Sequence, residues 1–109
     1  MAYFRAWLLA FVFTQLVEVP IYATGLRVGL LPAFGASAIT HPILWFVLFP
    51  YVKLPYLWLI VIGEAFALLV EAAYFAWVFR RRRALLWSAI ANAASFGIGI
   101  VSRMLFGMP

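Results

Sequence analysis

The chain has 109 residues, of which 69% are hydrophobic and 10% charged, with a net charge of +5 and no cysteine. So little polar side chain cannot clothe a soluble domain, and the lack of cysteine excludes disulfides, thiolate metal ligands and thiol catalysis. A mean hydropathy of +1.11 points to a chain dissolved in lipid.

Proline, glycine and charge divide the sequence into four apolar segments, near 4–26, 28–50, 54–79 and 84–106. Each is close to the roughly 20 residues a helix needs to cross about 30 Å of hydrocarbon. The runs are continuous rather than alternating, which predicts helices and not barrel strands. The first segment carries Gln15, Glu18 and Pro20 and breaks at Gly25-Leu26-Arg27. Those three residues interrupt any apolar core, and no clear small-x-small triplet follows, so it reads as a retained span and not a cleaved signal peptide. The second segment holds the only histidine, His41, directly before Pro42, and breaks between Pro50 and Pro55 around Lys53. The third, the longest, holds Glu64 and Glu71 and ends at Arg80, Arg81, Arg82 and Arg83. The fourth carries Ser88, Asn92, Ser95 and Gly99 at helical spacing, with Arg103 beyond. Breaks this short force neighbouring helices to be antiparallel. The expected fold is all-α: a polytopic membrane protein forming one antiparallel four-helix transmembrane bundle over 1–109.

Counting Lys and Arg on each side sets the expected orientation. Arg27 and Arg80–Arg83, five residues, fall on one side; Arg5, Lys53 and Arg103, three residues, fall on the other. The arginine run is therefore expected in the cytoplasm and both termini outside, in the cytoplasmic (inner) membrane. The run reads as a topology signal compatible with anionic lipid head groups. Without an accompanying basic and aromatic surface, it does not read as a nucleic-acid contact.

A shift of 53 positions aligns Leu16-Val17-Glu18 with Leu69-Val70-Glu71, and Arg27 with Arg80. Glu and Arg are scarce here, so these matches suggest two tandem two-helix repeats, 1–53 and 54–109. Both hairpins would enter the membrane in the same direction, as a parallel repeat.

Every acidic residue lies inside an apolar segment, and so does His41. An ionisable group at the centre of a membrane helix costs roughly 2.5–3.5 kcal/mol on insertion scales, which marks it as a functional candidate. The polar residues keep to helical faces: Thr14/Gln15, Glu18 and Tyr22; Ser37 and Thr40/His41; Glu64 and Glu71; Ser88, Asn92 and Ser95. Four such stripes turned inward would bury a common cluster. At 1.5 Å per residue, Glu18, Glu71 and Asn92 fall at one depth, with His41 and Glu64 a turn or two further out. The expected binding residues are Glu18, His41, Glu64, Glu71, Asn92, Gln15 and Ser95. Pro20 and Pro42 are expected to kink their helices and free a carbonyl one turn back. The ridge Ala84, Ser88, Ala91, Ser95, Gly99 and the pair Gly63 and Ala67 suit close helix packing.

Two carboxyls close together in a dry interior hold a proton or a cation between them. His41 and Glu64 could also ligate a divalent metal, although no Glu-x-x-His or His-Glu-x-x-His spacing supports it. No cofactor is implied, and no phosphate loop, dinucleotide fingerprint or Ser-His pairing demands an enzyme.

Glu18-Val19-Pro20, Thr40-His41-Pro42 with Trp45, Glu64, Glu71 and Asn92-x-x-Ser95 together resemble a group of small, uncharacterised four-span membrane proteins of bacteria. That resemblance implies the four-span fold and no activity. In length and in its first-span glutamate the chain is also similar to the small multidrug resistance transporters. Those carry a single essential membrane carboxylate in a different motif, whereas this chain has three and a histidine. The leading expectation is a membrane protein that binds or transports a cation or a proton-coupled small solute, as a homo-oligomer or within a larger complex. The alternatives are an accessory or assembly subunit whose polar stripes dock other helices, and an intramembrane enzyme using His41 as base on a lipid-linked substrate.

Overall fold

The computed structural model describes residues 2–106, the side chains of Arg103 and Phe106 excepted. Position 1 and positions 107–109 of the expected domain lie outside the described residues, as does the Arg103 side chain that entered the charge count. Four helices are long and apolar enough to cross a membrane. We number them α1 (Ala2–Gly25), α2 (Leu30–Tyr51), α3 (Tyr56–Val78) and α4 (Ala84–Phe106). No strand occurs among the described residues. Consecutive helices pack side by side and α4 closes back on α1, so α1 and α3 stand diagonally across the bundle.

The breaks follow local chemistry. α1 stops at Gly25, after which Arg27 takes a left-handed conformation at φ 55. α3 stops the same way, with Arg80 at φ 54. A non-glycine residue in that region is strained, yet it recurs at the two positions the 53-residue shift equates. Pro55 caps α3 and Pro32 lies in the first turn of α2, where a missing amide proton costs nothing. Pro20 leaves α1 helical throughout, on its exposed side. Pro42 is followed by a widened π turn over Leu44–Leu48, and a second such turn, Tyr74–Val78, ends α3. A proline cannot donate to the regular ladder, so the helix after Pro42 continues in altered register.

The packing is inverted relative to a soluble protein. Large side chains such as Leu16, Leu31 and Trp77 stand outside, more than two-thirds exposed. Small and polar ones (Ala33, Ala36, Ser37, Thr40, Ser88, Ala91) fill the interior. A soluble monomer rarely exposes an apolar patch beyond a few hundred Å²; here it is the whole flank, as lipid requires. Lipid supplies no hydrophobic drive between helices, so close approach and internal hydrogen bonds must hold them. Close approach is visible at Gly25, where a Cβ would overlap the Trp87 ring, and at Gly35, where it would meet the Tyr74 hydroxyl. That hydroxyl donates to the Pro32 carbonyl at 3.0 Å, and Ser88 Oγ donates to the Leu68 carbonyl at 2.7 Å.

Candidate functional site

Glu18 on α1 and Glu71 on α3 meet in the interior, each 1% exposed. Glu18 Oε1 accepts from Ser37 Oγ of α2 and its Oε2 from Ser95 Oγ of α4, both at 2.7 Å. Glu71 Oε1 accepts from the Tyr22 hydroxyl at 2.5 Å and from Asn92 Nδ2 at 3.3 Å. Its Oε2 accepts from Thr40 Oγ1 at 2.8 Å. All four helices contribute, and among the described residues every donor to the pair is a neutral hydroxyl or amide.

Helical spacing explains how. Thr14, Gln15, Glu18 and Tyr22 recur on one face, and they are the buried residues of α1. Three residues separate Ser37 from Thr40 on α2, and four separate Ser88 from Asn92 on α4. Because α1 and α3 are diagonal neighbours, their inward faces point at one another, and the hydroxyls of α2 and α4 close the ring. Asn92 is held in place by its own helix, donating to the Ser88 carbonyl at 2.9 Å.

Of the residues expected from sequence, Glu18, Glu71, Asn92 and Ser95 are brought together. Glu64 stands two turns from Glu71 on α3 and is half-buried. Among the described residues no side chain donates a hydrogen bond to it. Gln15 is buried but turned to backbone: Nε2 donates to the Phe34 carbonyl at 3.1 Å, and Oε1 is enclosed with no partner among the described residues.

His41 is not brought into the cluster. Its ring lies edge-on to Phe11 of α1, with centroids 5.8 Å apart, and Nδ1 is enclosed without a partner among the described residues. One step of about 100° beyond Thr40 carries it from the interior to the α1–α2 seam. Among the described residues no group of three or more His, Cys, Asp or Glu could hold a metal. Of the donors that complete the site, Tyr22 shares the face of Glu18 on α1, and Ser37 and Thr40 form the inward face of α2; the buried acids, which need donors, were the signal that pointed to them.

Beyond the pair, away from the arginine run, a chamber of about 400 Å³ opens between the helices. Thr14 and Ser95 connect it to Glu18, Glu64 lies in its wall, and Phe13, Phe49 and Phe96 supply aromatic surface. Toward the arginine run the interior is closed. Tyr22 and Phe75 are fully buried with ring centroids 4.4 Å apart, and Tyr74, Phe79 and Trp87 pack around them.

The four arginines divide by role. Arg80, Arg82 and Arg83 are exposed. Arg81 folds inward and donates to the carbonyls of Leu26 at 2.9 Å, Phe79 at 3.0 Å and Arg27 at 3.4 Å. It thereby ties together the C-terminal ends of α1 and α3, where a cation also suits the helix dipoles.

Comparison with family models, with curated proteins and with solved structures finds no match.

Proposed function

We propose that the protein binds or carries a proton-coupled small solute or cation across the bilayer through the Glu18–Glu71 pair. The observation that carries this reading is two fully buried carboxyls, from diagonal helices, whose donors are all neutral. Two full charges 4 Å apart repel by about 4 kcal/mol even at an effective dielectric of 20, with desolvation added. In this reading the pair holds one proton or one cation, and exchanging the two is the coupling step. A purely structural pair would be a costly way to join helices, since interhelical hydrogen bonds in membranes average about 0.6 kcal/mol.

The chamber supports access from the side opposite the arginines. In this reading the arginine run faces the cytoplasm, both termini lie outside, and the protein works in the cytoplasmic membrane as a homo-oligomer. The tandem arrangement of two hairpins is part of the same proposal. It is supported by the shared left-handed turns at Arg27 and Arg80 and by Glu18 and Glu71 meeting at the centre. Neither the four-span bacterial proteins nor the small multidrug resistance transporters lend it an activity, since here two carboxyls share one site.

Reconstituted in liposomes, the protein should dissipate an imposed pH gradient, and Glu18→Gln or Glu71→Gln should abolish that flux. Wild-type flux in both variants would remove the pair from the mechanism. A stoichiometric partner recovered in mild detergent, with no flux by the isolated chain, would favour an accessory subunit instead.

A further inference from the structure

The structure redraws the basic cluster at the arginine end. Arg81 leaves it, donating from Nε to the Leu26 carbonyl at 2.9 Å and from Nη2 to the Arg27 carbonyl at 3.4 Å. Arg27 joins it, because those bonds clip the loop after α1 against the loop after α3. Arg27, Arg80, Arg82 and Arg83 are all exposed. The chain's only acids, Glu18, Glu64 and Glu71, lie within the spans, so no carboxylate stands at this end to neutralise the four.

We propose that Arg27, Arg80, Arg82 and Arg83 bind the head group of an anionic phospholipid, and that one with two phosphodiesters, diphosphatidylglycerol, binds best. The inference is independent of the carboxyl pair. Guanidinium forks meet phosphate oxygens two at a time, in charge-assisted hydrogen bonds stronger than neutral ones. A single phosphodiester offers two free oxygens, too few to engage guanidiniums from both loops. Two phosphodiesters on one head group suit them, and basic pockets at the ends of membrane helices recognise such head groups. Arg81 assists from behind by covering the carbonyls of Leu26, Arg27 and Phe79, whose negative ends would repel a phosphate.

The surroundings select a lipid over a soluble phosphate. Each loop runs straight into exposed apolar flank: Leu30 and Leu31 after Arg27, Trp77 and Val78 before Arg80, Leu85 and Leu86 after Arg83. Phosphate over arginine, with acyl chains along that flank, satisfies both parts; a soluble polyanion leaves the flank unused. Trp77 adds an indole beside the arginines, a ring that settles at head-group level. A topology signal alone acts during insertion and leaves the finished protein with no preference among lipids.

The test is native mass spectrometry of the full chain, released from micelles holding equal amounts of phosphatidylcholine, phosphatidylglycerol and diphosphatidylglycerol. Diphosphatidylglycerol should be retained at least about tenfold more than phosphatidylcholine, with phosphatidylglycerol between them. Arg27→Gln with Arg80→Gln should remove about tenfold of that preference. Arg82→Gln with Arg83→Gln, which leaves the left-handed turns untouched, should do likewise and guards against a fold defect in the first pair. Arg5→Gln with Lys53→Gln takes the same charge from exposed positions at the other end and should keep the preference.

Equal retention of all three lipids would overturn the inference. So would equal losses in the variants of the two ends, since net charge would then be the cause. Phosphatidylglycerol held as well as diphosphatidylglycerol would strike out the two-phosphate preference. Inorganic pyrophosphate displacing the lipid at equal concentration would hand the site to a soluble anion. Glu18→Gln should bind lipid as the parent does, so an absence of proton flux would sink the proposed function and leave this inference standing.

Discussion

The two ends of the bundle are built in opposite ways. At the arginine end the close approaches are filled: Tyr22 packs at a tilt against Phe75, Gly25 lies beneath the Trp87 ring, and Arg81 bonds three carbonyls across the ends of α1 and α3. At the other end the helices stand apart around a chamber of about 400 Å³. There Gly99 lines the chamber, and a Cβ added to it would meet Phe13 at an ordinary 3.8 Å. The carboxyl pair lies on the border between them. Without a hydrophobic drive in lipid, a seal must be made from contact and hydrogen bonds; at the far end these join α1 to α2 through Tyr3, Trp7, Phe46 and Trp45, whereas at the arginine end they close the centre of the bundle. The pair is thus approached from one side and backed by packed aromatic rings on the other.

That contrast can be broken most forcefully at Phe75. Phe75→Ala removes a fully buried ring from the seal. In soluble cores such a change costs about 3–5 kcal/mol; with the water-transfer part absent in lipid, roughly 2–3 kcal/mol is expected. Phe96→Ala at the open end, where the ring is 39% exposed, should cost well under half as much. Reversible unfolding in mixed detergent micelles measures both, and equal losses would contradict the asymmetry.

Next in size comes Gly25→Ala. The added carbon overlaps the Trp87 ring, so the α1–α4 contact must open, at about 1–3 kcal/mol. Gly99→Ala at the open end should be neutral or slightly stabilising, because the added carbon makes only an ordinary contact and alanine is the better helix former. A destabilised Gly99→Ala would show that this end is packed more tightly than the structure has it.

Arg81→Ala should cost about 1–2 kcal/mol through the loss of three carbonyl partners, whereas exposed Arg82→Ala should change stability by less than about 0.5 kcal/mol. Hydrogen exchange at the last turns of α1 and α3 would locate the effect, rising in the first variant alone. The smallest change belongs to the turns themselves. Arg27→Gly and Arg80→Gly relieve left-handed backbone at φ 55 and φ 54, and each should stabilise by up to about 1 kcal/mol. If only one of them responds, the two turns are not mechanical equivalents.

Much of the site was legible because helical spacing and burial cost are local properties. Acids at positions 18 and 71 must find partners in lipid, and the polar residues at three- and four-residue intervals supply them. His41 defeats the same reasoning. It follows Thr40 by one position, and a shared stripe drawn from sequence is wider than the strip that actually faces inward. Thr40 reaches Glu71 while His41 turns to Phe11. Gln15 fails similarly: it is on the buried face, but its amide meets the Phe34 carbonyl of the neighbouring helix before any acid.

By itself the sequence determined four spans, their breaks and the burial of its acids, because the length of an apolar run and the cost of charge in lipid depend only on residues near each other in the chain. Which arginine turns inward was decided by the tertiary structure, since the free carbonyls of Leu26 and Arg27 belong to another helix end, more than 50 positions away. The tilted packing of Tyr22 against Phe75 and the opening of the chamber on the far side were decided the same way. Both depend on how α1 and α3 face each other across the bundle, and on where the four helices fail to touch.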